Sequence, residues 1–308
     1  MNKVSTYLLS LIMTILLIIA MTASTAMVIA DINVTEKKAS AISSKGNIPA
    51  KIVTQLDKYY RSKAGATGIP ANVYMDSISE EYISSAVDSC LAGTFSSLKE
   101  NKSFSASVPE NKALEDSINK FFNDYADQSG YEKDDAFYKK LDTTKSAAYK
   151  VIGDYCDIYK AASLSKHGVM GKASKLYRLR PLLTFASVGG VVLLILFIAA
   201  VNRKDKKTIL YWTGISALIS GIFGTLPSAY LLGVKYFDSF SIKQPQVFSA
   251  YTRSMYGLTN AFLAASIAML VLGIAMVVLY GVFCGMTHKA AAVQDIASPA
   301  PENIEKSQ

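Results

Sequence analysis

Two unbroken apolar runs, residues 181–201 and 209–233, flank a polar knot at 202–207 that holds Arg203, Lys204, Lys206 and Lys207. Each run reaches the roughly 20 residues a helix needs to cross a bilayer, and cations crowded into a short loop mark its cytoplasmic side. The pattern predicts a membrane hairpin with its loop, 202–208, in the cytoplasm. A third run, residues 7–30, follows a polar head at 1–6. It reads either as a secretory signal, cut after Ser24-Thr25-Ala26 or Val28-Ile29-Ala30, or as an uncleaved anchor. Its apolar core exceeds the roughly 7 to 15 residues of a signal core, which favours the anchor. The fourth run, 260–286, precedes a polar tail at 287–308 that contains Pro299 and Pro301 and is expected to be disordered.

Four spans with both ends inside put residues 31–180 outside as one domain and 234–259 outside as a shorter, aromatic-rich loop. Lys37, Lys38, Lys172, Lys175, Arg178 and Arg180 then lie on the outer side. That is tolerable because long domains cross largely regardless of charge. The segment 171–180 is either an outward extension of the second span or a basic collar whose Lys172, Lys175, Arg178 and Arg180 meet anionic headgroups.

Within 31–180 the apolar spacing is helical. Residues 76–99 carry Ile78, Tyr82, Ile83, Ala86, Val87, Cys90, Leu91, Thr94, Phe95 and Leu98 at three- and four-residue steps, with a capping box at Ser77-Ile78-Ser79-Glu80. A second helix is expected to open at Ser107-Val108-Pro109-Glu110 and to bury Leu114, Ile118, Phe121, Phe122 and Tyr125. A third covers about 135–163 with Leu141, Ala148, Ile152, Tyr155, Tyr159 and Ala162, and a shorter one covers 50–61. Turn-like links at 63–70 and 128–130 complete a helical bundle, so the expected class is an all-α integral membrane protein with four transmembrane helices and an exported helical-bundle domain between spans 1 and 2.

Small residues form seams in the spans. Thr213, Ala217, Gly221 and Thr225 recur at every fourth position, as do Ser216, Ser220, Gly224 and Ser228, and Gly273, Val277, Gly281 and Gly285 repeat the theme. Such spacing lets helices approach closely, within the chain or between copies. Ala217, Gly221, Gly224, Gly273, Gly281 and Gly285 are therefore the expected packing positions. Pro227 is expected to kink its helix, and Pro245 to open one that continues into the fourth span.

Composition sharpens this picture. Half of the chain is apolar (51%), yet 32 Lys+Arg against 24 Asp+Glu leave a formal charge of +8. The basic residues cluster beside the spans, where they orient the protein and meet lipid, so the charge does not point to nucleic acid. Of the three cysteines, Cys284 sits in an apolar run; Cys90 and Cys156 could pair in an oxidising exterior or remain free buried thiols. No phosphate loop, dinucleotide fingerprint, zinc-protease or nucleophile-elbow motif occurs, and His167 and His288 stand apart from any cluster. The acidic stretch 124–135 resembles a calcium loop at Asp127, Ser129 and Gly130, but Tyr125 and Ala136 fall where carboxylate ligands belong, so a solvated turn is the better reading. No cofactor and no enzymatic activity are expected. The spans lack ionisable residues, which disfavours ion- or proton-coupled transport. Among the tyrosines, Tyr82, Tyr125, Tyr155 and Tyr159 are expected in the core, while Tyr59, Tyr60, Tyr74, Tyr131 and Tyr138 fall off or at the edge of the stripes.

The expected function is that of a non-enzymatic binding or scaffolding protein of the cell membrane, acting through its exported domain on an envelope partner or its own copy. The layout of one span, a large outer domain and three further spans is also similar to that of the permeases of the macrolide-exporter and cell-division type. That resemblance implies coupling to a cytoplasmic ATPase through the 202–207 knot. Here the knot is shorter, and the head smaller, than such permeases use for that contact.

Overall fold

The computed structural model describes the backbone of residues 3–297 and the side chains of residues 4–286. These form eleven α-helices, one 3-10 turn at Tyr236–Ser239 and no strand. In chain order the helices are α1 (Lys3–Asn33), α2 (Glu36–Lys45), α3 (Ile48–Thr67), α4 (Asn72–Met75), α5 (Glu80–Glu100), α6 (Lys112–Ser129), α7 (Asp135–Cys156), α8 (Ala161–Lys166), α9 (Val169–Val201), α10 (Lys207–Gly233) and α11 (Pro245–Ala297). The chain divides into two compact units, one of residues 1–29, 183–230 and 260–308, the other of residues 30–182 and 231–259.

The first unit is apolar. It holds the bulk of the four helices that are long and apolar enough to cross a membrane. Their outward faces carry bare hydrocarbon: Phe185 is 79% exposed, Phe223 62% and Leu196 58%. Surface of that kind suits a lipid solvent rather than water, and the arrangement is compatible with a multi-pass membrane protein. Inside, Leu17, Ile198 and Trp212 join α1, α9 and α10 in a small core. The serines of α10 face α1, where Ser220 donates to the Ile18 carbonyl at 3.1 Å. The glycines face α11: a Cβ on Gly221 would stand 2.7 Å from the Leu270 amide nitrogen, and one on Gly273 would stand 2.8 Å from the Gly214 carbonyl oxygen. At one end of this unit Asn202 donates to Ser10 Oγ at 2.9 Å, and Lys207 donates to the Phe283 carbonyl.

The second unit is a helical domain. Its α5 packs against α2, α3 and α7, and α6 packs against α4 and α7. The apolar stripe of α5 is buried as its spacing requires, from Ile83 and Val87 through Cys90, Leu91 and Phe95. Two expected caps prove displaced. Ser79 rather than Ser77 starts α5, its hydroxyl accepting from Tyr82 N, and Asn111 rather than Ser107 starts α6, accepting from Leu114 N. Residues 102–111 instead run extended beneath α5 and α7, with Phe104 buried and its N–H donated to Ser165 Oγ.

Other boundaries also differ. The expected 135–163 helix breaks after Cys156 although residues 157–160 contain neither Gly nor Pro. Lys160 adopts a left-handed backbone (φ 53°), Ile158 turns into the core, and Asp157 starts α8 with its own carboxylate. The 63–70 link is mostly helix, since α3 runs to Thr67 and stops on Gly68 in the left-handed region. Residues 171–180 extend the second span as one helix through Pro181. α11 starts at Pro245 as expected and continues to Ala297, so residues 287–297 are helical where disorder was expected; Ala290, Ala291 and Ala292 are strong helix formers. Residues 298–308, with Pro299 and Pro301, and the His288 side chain lie outside the described residues.

The loop expected at 234–259 belongs to the helical domain, as part of the segment 231–259. Ala250 enters its core, Tyr251 donates to the Tyr159 carbonyl at 2.9 Å, and the rings of Tyr159 and Tyr251 meet edge to face at 5.6 Å.

Candidate binding surface

α6 buries Leu114, Ile118, Phe122 and Ala126, one residue every fourth position. Successive helical residues point about 100° apart, so placing Ala126 inward turns Tyr125 outward. Tyr125 was expected in the core; it is 62% exposed. Gly130 then ends α6 in the left-handed region, and Asp134 caps α7 by accepting from Phe137 N at 2.9 Å. Tyr131 in this turn and Tyr138 in the first turns of α7 are exposed as well, at 55% and 51%. The α6–α7 tip thus displays aromatic rings among the carboxylates of Asp124, Asp127, Glu132, Asp134 and Asp135. Asp127 pairs with Lys133 at 2.7 Å, which accounts for one of the would-be calcium ligands. Tyrosines at such positions offer apolar area with a polar tip at small entropic cost, the usual makings of a recognition surface.

Tyr59, Tyr60, Tyr74, Tyr82, Tyr155 and Tyr159 are structural. Tyr60 and Tyr74, expected at the edge of the stripes, are buried and stacked at 4.1 Å. Tyr59 meets Tyr60 and Tyr155 edge to face, and Tyr82 donates to the Pro109 carbonyl at 2.9 Å. Beneath the 231–259 segment, Asp157 is buried with both oxygens engaged by the N–H groups of Ala161 and Ala162, and Tyr159 and Ser254 hydroxyls share a 2.8 Å hydrogen bond. Sequence spacing placed Tyr159 on a stripe but could not reveal its bonds to Tyr251 and Ser254, because those partners lie more than ninety positions away.

Cys90 and Cys156 are both buried and free, so the disulfide alternative is not formed. Burial, and next the charge of Asp157, push the Cys90 thiol from its ordinary value near 9 up to about 12. Burial likewise raises Cys156, Tyr60 and Tyr82. Each of these groups keeps its proton more tightly folded than unfolded. The corresponding stability is complete below about pH 9 and is lost as the pH rises toward 12. Urea unfolding of the full chain should accordingly give a level midpoint through neutral pH and a falling one above about pH 9. A midpoint that held level to pH 12 would contradict the burial of these groups.

The basic residues separate into two sets. Lys172, Lys175, Arg178, Arg203, Lys204 and Lys206 are exposed, and Lys207 is half-buried. Arg180, expected to meet lipid headgroups, is instead held within the domain. It pairs with Asp31 at 2.6 Å, donates to the Val34 carbonyl and covers the Tyr177 ring. Of the packing positions, Ala217, Gly221, Gly224 and Gly273 are closely packed, whereas the Cβ positions of Gly281 and Gly285 open on empty space. An apolar recess of 310 Å³ lined by Met21, Thr25, Val28, Val191, Ala265 and Met269 carries no ionisable side chain.

In comparisons with known proteins, no family model, no curated sequence and no solved structure matches this chain.

Proposed function

We propose that the chain is a non-enzymatic, multi-pass protein of the cell membrane, whose helical domain lies outside the cytoplasm and binds or scaffolds a partner through the α6–α7 tip. The observation that carries this reading is the exposure of Tyr125, Tyr131 and Tyr138 together on a carboxylate-rich turn. A partner that presents cations beside apolar area, such as an envelope protein or a second copy of the chain, has the matching chemistry. The topology is supported by the 231–259 segment sharing one unit with residues 30–182, as two segments on the same side of a membrane can. Ser10, Asn202, Lys207 and Phe283 meet at one end of the apolar unit, which suits a cytoplasmic head, loop and tail. The part α1 plays in the bundle core favours the uncleaved anchor.

Photocrosslinkers at Tyr131 in native membranes should capture a partner in stoichiometric amounts, and replacing Tyr125 and Tyr138 by alanine should reduce that capture at least tenfold. Unchanged capture would exclude the tip. Protease added to intact cells should cut tags placed in 31–180 and spare one at the C-terminus; the reverse result inverts the topology.

A second reading, a permease-like subunit of an ABC-type transport or mechanotransmission complex, is favoured by the continuation of α11 to Ala297 beyond Phe283, at the end of the unit where Lys207 meets Phe283. Purification in mild detergent with a stoichiometric cytoplasmic ATPase would promote it.

A further inference from the structure

The corner where α2 passes into α3 gathers positive charge and leaves it unanswered. Lys51, in the first turns of α3, donates to Ser249 Oγ in the first turns of α11. The stem of Arg253 lies over the same corner, so closely that a Cβ on Gly46 would stand 3.2 Å from Arg253 Cδ. Among the described residues neither Lys51 nor Arg253 enters an ion pair. Lys51 is depressed from the usual lysine range by burial and by the like charge of Arg253, with no carboxylate offsetting them.

Two helix ends add to this field. Neither α3 nor α11 has an acidic residue in its first turn, and the N-cap of α3, Asn47, has a left-handed backbone and makes no side-chain cap bond. Each leaves amide N–H groups and the positive end of a helix dipole at the corner. Gln246, Ser249 and Arg253 stand at positions i, i+3 and i+7 of α11, along the face whose Ala250 enters the domain core. Gln246 is fully buried, yet neither atom of its amide has a hydrogen-bond partner. Burying an amide unpaired is costly, and Gln246 lies one helical turn before Ser249, the residue that Lys51 contacts.

We propose that Lys51, Ser249 and Arg253, with the first turns of α3 and α11, form a binding site for a phosphate-type oxyanion, carried by a phospholipid headgroup or by a soluble phosphate. Two cations, a hydroxyl and helix N-termini together match the multiple acceptors and negative charge of a phosphoryl group. Arg253 lies seven positions before the start of the fourth apolar run, within about 10 Å of it along a helix, which is headgroup depth for an outward-facing helix. The site does not depend on which partner the α6–α7 tyrosines contact.

The test uses the full chain in phosphatidylcholine nanodiscs, as wild type and as Lys51→Gln, Arg253→Gln and the double variant. In one arm inorganic phosphate is titrated against chloride at constant ionic strength, and the thermal midpoint is read. In the other, part of the phosphatidylcholine is replaced by phosphatidylglycerol, and native mass spectrometry reads the lipid retained. The expected result is binding at least tenfold tighter by wild type than by the double variant in one arm; the phosphate arm identifies a soluble ligand and the lipid arm a headgroup. If the double variant fails to fold, Arg253→Gln and Ser249→Ala, which leave Lys51 in place, make the same comparison. Equal binding by wild type and variants in both arms overturns the proposal.

Discussion

Gly221→Ala is expected to destabilise the apolar unit by about 3 kcal/mol, while Gly281→Ala stabilises it by up to about 1 kcal/mol, although both replace a glycine in a long apolar helix by the same residue. At Gly221 the new methyl would lie 2.7 Å from the amide nitrogen and 2.8 Å from the Cα of Leu270. Those atoms are backbone, so no rotamer change relieves the overlap and α10 must move away from α11. The close approach that small residues allow is then lost along the seam. At Gly281 the same methyl meets open space, and only the helix preference of alanine remains. Thermal unfolding of the full chain in detergent measures both. The two effects should have opposite signs: a stabilising Gly221→Ala would show that α10 and α11 are not packed this way. A destabilising Gly281→Ala would show that a second copy fills the space beside it.

Asp157→Ala should lower the stability of the helical domain by about 3 kcal/mol. The carboxylate is 4% exposed and accepts from Ala161 N at 2.8 Å and from Ala162 N at 2.9 Å. Hydrogen bonds to a charged group are worth more than neutral ones, and removing the acceptor leaves N–H donors in a region closed to water. The loss should spread to Tyr159, whose carbonyl holds Tyr251 and whose hydroxyl holds Ser254. Limited proteolysis within 231–259 should therefore speed up together with the fall in the urea midpoint. Asp154→Ala is the control, an exposed carboxylate three positions away, and should change the midpoint by less than about 0.5 kcal/mol. A midpoint equally insensitive to both substitutions would remove Asp157 from the framework of the domain.

The elements with strong periodicity were legible without coordinates. The stripe from Ile83 to Phe95 is buried where its spacing placed it, and Pro245 opens the last helix. Helix starts were less legible, because Ser77, Ser79, Ser107 and Asn111 all carry side chains able to cap, and the choice between neighbours depends on where the preceding segment is held. Of the candidate surface, the acidic turn at 124–135 was visible, but Tyr125 was misplaced: its spacing from Ile118 and Phe122 fits a stripe, and Ala126 takes the inner position instead. The phosphate corner left no trace in the sequence, since Lys51, Ser249 and Arg253 belong to segments nearly two hundred positions apart.

What the chain's order of residues determined by itself was the number of apolar helices and the helical character of what lies between them. These follow from local hydrophobic patterning, where each residue's preference depends on near neighbours alone. The tertiary structure decided the rest: the break at Asp157–Lys160, the docking of 231–259 against Tyr159, and which glycines meet a neighbouring helix. Those outcomes depend on contacts between distant segments, whose free energy no local window of sequence contains.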